Sequence, residues 1–184
     1  NQVTKSPKLK AASEVQASVS SNGLVRTLLD HNVKLSDTSA FRVAMMGQKG
    51  NTSDRDHTAT KDYGVAPSLK LGIGTPTQVT LSGLVQRNSG QTDYGVPNLN
   101  GAPAVVDRKT SYGMSDDRTI SNIGSIGAVI EHKITPTSSV RNQTQVNRVK
   151  TDARETSPQG IGTLTGVGGA FVALSTGTTA NPIA

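Results

Sequence analysis

Apolar and polar residues alternate with a period of two in one stretch after another of this chain, and no other feature constrains its fold as strongly. In residues 24–35 one side reads Val25, Thr27, Leu29, His31, Val33, Leu35, and the other reads Leu24, Arg26, Leu28, Asp30, Asn32, Lys34. Residues 40–49 align Phe41, Val43, Met45 and Gly47; residues 63–73 align Tyr63, Val65, Pro67, Leu69, Leu71 and Ile73. The same rule groups Val15, Ala17 and Val19; Val79, Leu81, Gly83 and Val85; and Ile126, Ala128 and Ile130. In residues 138–150 it sets Val140, Asn142, Thr144 and Val146 against Arg141, Gln143, Gln145 and Asn147. Successive side chains of an extended chain point to opposite faces, so this pattern predicts seven strands, each with an apolar and a polar face.

The connections carry a second regularity. Three are short and have tight-turn chemistry: Ser36 to Ser39, Gly74 to Thr77 and Thr135 to Ser138. They alternate with residues 20–23, a polar loop from Gly50, and a long Pro/Gly-bearing loop over 88–121. Short turns at one end and longer loops at the other describe an all-β, antiparallel, up-and-down sheet. This is the plan of an outer-membrane β-barrel, here a partial one of about seven or eight strands over roughly residues 10–152. Residues 153–184, rich in Gly and Thr, read as a long loop, with a further strand considered near Ala170 to Leu174.

Composition removes several function classes. There is no cysteine, which excludes disulfides, zinc–thiolate sites and cysteine nucleophiles. His31, His57 and His132 lie far apart, and none has a metal-ligand neighbour at helical spacing. The glycines around Gly162 and Gly166 miss the dinucleotide fingerprint by one residue. Asp107, Asp116 and Asp117 suit turns better than a catalytic carboxylate pair, and Asn51 matches a glycosylation acceptor only formally. No catalytic residue and no metal site is expected. The net charge of +6 comes from scattered cations with only 3% aromatics, a poor recipe for base stacking.

At the level of whole segments the chain resembles the TonB-dependent siderophore receptors, most of all the catecholate type. The resemblance is carried by "NQVTKSPKL", "VRTLLDHNVKLSDTSAFRVAMMGQKG" and "RDHTATKDYGVAPSLKLGIGTPTQVTLSGLVQR", then by "TDYGVPNLNGAPAVVDRKTSYGMSDD" and "AVIEHKITPTSSVRNQTQVNRVKTDARETSP", in that order. It implies the N-terminal part of such a receptor's barrel, in the bacterial outer membrane, without the plug domain. The function implied is uptake of a ferric siderophore driven by TonB through that plug. Iron would arrive only inside the siderophore, and no cofactor would be bound directly. Partners would be the siderophore and outer-membrane lipid, with no nucleic acid and no enzymatic step.

The long loop would then face outward and help collect the cargo. A ferric tris-catecholate is anionic and aromatic, so cations and tyrosines are the fitting side chains: Arg108, Lys109, Tyr112, Tyr94, Arg55 and Arg87, with Lys61 and Arg118 nearby in sequence. Phe41 and Tyr63, at strand starts, are the expected membrane-interface anchors. The chain opens without Met or an apolar leader and ends in "TANPIA", not on an aromatic strand, so a piece of a longer protein is expected. Two other readings suit the residues: a complete eight-stranded barrel with a structural or adhesive role, and a soluble basic β-domain binding nucleic acid.

Overall fold

A computed structural model describes residues 5–52, 55–99, 102–163 and 170–182. Among them there is no helix. Eight strands form one antiparallel sheet: β1 (Ala12–Val19), β2 (Val25–Ser36), β3 (Ser39–Asn51), β4 (Ala59–Leu71), β5 (Thr77–Gly90), β8 (Arg118–Lys133), β9 (Ser139–Thr163) and β10 (Ala170–Pro182). Each pairs with its neighbour in the chain. The long loop between β5 and β8 holds a separate two-residue ribbon, β6 (Asn98–Leu99) with β7 (Ala102–Pro103).

The register shows which residues share a face. Val15, Leu29, Met45, Val65 and Val85 are successive cross-strand partners, and so are Phe41, Leu69, Leu81 and Ala128. These rows belong to one side, and it is exposed: Val15 74%, Val85 65%, Ile126 69%, Val146 61%. On the opposite side Ala40, Asp30, Asn32 and Ser68 are all buried. A soluble domain does the reverse, hiding its large apolar side chains and exposing its charges. An apolar exterior over a polar interior is the signature of a membrane barrel wall. From Leu71 to Tyr63 the apolar side runs eight residue steps along β4, about 26 Å of strand at 3.3 Å per residue, enough for a tilted strand to cover most of a hydrocarbon layer.

The short turns all lie at one end. Ser36 and Ser39 hydroxyls meet at 2.7 Å across the first, and Lys34 donates to Asp37 at 2.6 Å. In the second, Gly72 has φ +71°, and a Cβ there would lie 2.1 Å from the carbonyl oxygen of Thr77, so only glycine fits. Pro67 sits in mid-sheet with no N–H to give. The β4–β5 ladder accordingly skips from the Val65–Val85 pair to the Ser68–Ser82 pair.

Two expected boundaries are corrected. The long loop covers 91–117, because β5 runs to Gly90 and β8 begins at Arg118. The span 153–184, expected as a long loop with a further strand near Ala170 to Leu174, holds the end of β9 as well as β10, which covers that further strand, and the two pair from Lys150–Pro182 to Thr163–Ala170. Backbone hydrogen bonds hold that pairing, and they need no apolar alternation to form. Residues 164–169 and 183–184 lie outside the described residues.

Candidate functional site

The loops 20–24, 52–58 and 91–117 gather at the end of the sheet opposite the short turns. The long loop is fastened there at three points. Arg55 is the first: its Nε pairs with Asp93 Oδ2 at 2.7 Å, and its Nη1 donates to the carbonyls of Thr110 at 2.7 Å and Arg108 at 3.1 Å. Both members of that ion pair are less than a fifth exposed. A guanidinium suits the place because its planar fork serves several acceptors at once. Asp93 also accepts from the Gly95 amide at 2.9 Å, an Asx turn that sends the chain off β5, with Gly95 at φ +80°.

The second fastening is Asp117. Its carboxylate is 7% exposed and accepts from the amides of Met114 and Thr156 at 2.9 and 3.1 Å and from the Thr156 hydroxyl at 2.9 Å. The third is Glu155, which accepts from Tyr94 Oη, from Thr92 at 3.0 Å and from Thr119 at 2.5 Å. The hydrogen bond from Tyr94 to Glu155, then burial and the carboxylate's charge, hold the Tyr94 phenol protonated above its ordinary range. The loop is therefore tied to both flanking parts of the barrel wall.

The expected site residues separate under this geometry. Arg108 and Lys109 are exposed, and among the described residues neither side chain has a hydrogen bond or ion pair. Lys109 lines a shallow cavity with Asn22, Asn51, Thr52, Arg55 and Asp56, where all three loops meet, and its carbonyl accepts from the Asp56 amide at 3.0 Å. Arg55 joins this cluster, but its Nε and Nη1 donors are taken by Asp93, Arg108 and Thr110. Tyr94 belongs to the Glu155 network, and Tyr112 is half-buried. Arg118 pairs with Asp152 at 3.5 Å. Arg87 stands apart: it shares the outward face with Tyr63 and Asn122 and donates to Asn122 at 2.9 Å. Phe41 lies toward the turn end of that outward face and Tyr63 toward its loop end. No group of three His, Cys, Asp or Glu among the described residues is arranged to hold a metal ion.

The interior face carries an ionic cluster that the sequence did not single out. Arg42 grips Asp30 with both ends of its fork at 2.7 Å, and Lys5 donates to the same carboxylate at 2.7 Å. Asn32 accepts from the Lys8 amide at 2.9 Å and donates to the carbonyls of Lys8 and Lys10 at 2.7 and 2.9 Å. Together they tie the segment preceding β1 to the inner wall.

No family model matches the chain. It is 30% identical over 174 residues to the catecholate siderophore receptor Fiu of Escherichia coli O157:H7, an alignment covering 87% of this chain and 23% of Fiu. The crystal structure of the ferric-catecholate import receptor Fiu from E. coli K12, in its closed form, superposes with a TM-score of 0.88 at 29% identity, over 96% of this chain and 28% of that one. The chain is homologous to the TonB-dependent siderophore receptors. The siderophore receptor PiuA of Acinetobacter baumannii agrees, with a TM-score of 0.80 at 27% identity over 84% of this chain and 23% of that one. The fold is thus that of part of an outer-membrane β-barrel receptor. The chain spans less than a quarter of the length of the curated relatives it matches.

Proposed function

We propose that this segment forms part of the wall and loop crown of an outer-membrane receptor that takes up a ferric siderophore, of the catecholate class, with energy from TonB. The observation that carries this reading is the inverted sheet, apolar outside and polar inside, in a chain homologous to such receptors. In this reading the cargo passes through without a bond being made or broken, and iron is handled only within the siderophore. TonB would act through a plug domain elsewhere in the protein. The free cations Arg108 and Lys109 are the side chains for a first electrostatic contact with an anionic cargo, while Arg55 and Asp93 hold their loop in place. The test is binding of ferric tris-catecholate to the whole receptor. Arg108→Ala with Lys109→Ala should weaken it about tenfold, at about 1 kcal/mol or somewhat less per exposed charge–anion contact. Unchanged affinity would remove these two residues from the site, and no binding by the parent would remove the reading itself.

A further inference from the structure

Above the apolar rows the outward face changes character. Lys49 and Lys61 are direct cross-strand partners on β3 and β4, both exposed, and among the described residues neither has an ion-pair partner. Two like charges directly opposite one another repel, and no acidic side chain among the described residues pairs with either. Beside and below them lies a groove: Val25 is the partner of Lys49 on β2, Gly47 and Tyr63 pair with each other one row toward the turns, and Gly47 contributes no side chain to fill the floor. Asp62, which also borders the groove, does not serve the lysines. Its carboxylate lies on the interior side and accepts from Gln48 at 2.6 Å and from the Ser89 amide at 3.3 Å. Farther along the same face, Arg148 lies in the Val65–Val85 row and Lys150 in the Tyr63–Arg87 row of the sheet.

We infer that Lys49 and Lys61 bind the phosphate of an anionic lipid in the loop-side leaflet, with its hydrocarbon lying in the Val25–Gly47–Tyr63 groove. Charge and shape point to one occupant. Paired ammonium groups fit a phosphate's several oxygens, and an apolar floor below them fits an acyl chain, which free phosphate lacks. The height is right, since lysines at the margin of an apolar band direct their heads into the headgroup layer. A bound phosphate would also relieve the Lys49–Lys61 repulsion. The inference rests on the outer-membrane reading above.

The test uses the whole receptor in phosphatidylcholine nanodiscs, titrated with a bisphosphorylated glycolipid or its dephosphorylated form, with bound lipid counted by native mass spectrometry. Lys49→Gln or Lys61→Gln alone should weaken binding of the phosphorylated form about fivefold, and both together about thirtyfold. Lys133→Gln, an equal change of net charge at the turn end, should leave it unaltered. Removing one of two facing like charges favours folding, so each single variant serves as a check on the double. Equal binding of the two lipid forms, or parent-like binding by the double variant, would overturn the site. Displacement by inorganic phosphate at the same concentration would make it a free-phosphate site instead. Gel mobility with and without boiling reports barrel insertion separately: an uninserted parent would defeat the membrane reading, whereas an inserted parent indifferent to the lysines would defeat only this inference.

Discussion

The two faces of this one sheet obey opposite rules. Outward, Val85 and Ile126 stand more than half exposed; inward, Asp30 is 4% exposed and held by Arg42 and Lys5. The same backbone ladder carries both, so the difference lies in what each face is placed against. Water plus protein on the inside makes an ionic cluster affordable only when every charge is paired. In the proposed receptor, hydrocarbon on the outside makes exposed valine and isoleucine costless. Loss of one partner should therefore hurt inside, and gain of a charge should hurt outside.

The largest expected effect is outside. Ile126→Arg should destabilise the membrane-inserted receptor by about 2–4 kcal/mol, while Gln143→Arg, on the interior face, should change it by less than about 1 kcal/mol. Reversible urea unfolding in lipid vesicles measures both, and equal costs would break the contrast. Next comes Asp30→Ala, which leaves Arg42 and Lys5 without their shared acceptor and should cost about 2–3 kcal/mol in the same assay. A loss below about 0.5 kcal/mol would mean that the interior pairing is already solvent-screened.

A smaller effect is expected in the loops. Arg55→Ala should raise amide exchange across residues 91–117 about tenfold, since a largely buried ion pair and two carbonyl contacts are lost together at a net cost of about 1–2 kcal/mol. Arg55→Lys should restore little of that protection, because an ammonium cannot span the three acceptors. Full restoration would show that charge alone fastens the loop. Smallest of all is Tyr94→Phe, expected to cost about 1 kcal/mol by removing one donor to Glu155 while Thr92 and Thr119 remain.

Where the two faces differ in chemistry, the alternation was readable in the residues themselves. The cores of β2, β3, β4 and β5 were legible because Val, Leu and Met recur at every second position against Asp, Asn, Gln and Lys. The start of β8 was not, since Ile120 and Ile123 fall on opposite faces and blur the period. Beyond Lys150, β9 has no large apolar residue until Ile161, so both of its faces are polar and the pattern vanishes. The loop cations were legible as residue types, but their sorting was not. Only the fold brings Asp93 to Arg55 and leaves Arg108 and Lys109 free, because the β3–β4 and β5–β8 connections meet only after their strands pair. Arg87, expected among the loop cations, lies instead within β5, where it shares the parity of Val85 and so faces outward.

The most direct test of the two-faced sheet is spin-label accessibility along β5 and β8 of the whole receptor in outer-membrane vesicles. Single cysteines at Leu81, Val85 and Ile126 should be accessible to oxygen dissolved in lipid and shielded from a water-soluble relaxant. Those at Ser82, Gln86 and Ser125 should show the reverse, giving an alternation with a period of two. Uniform exposure to the aqueous relaxant at both sets would contradict the assignment of the apolar face to lipid.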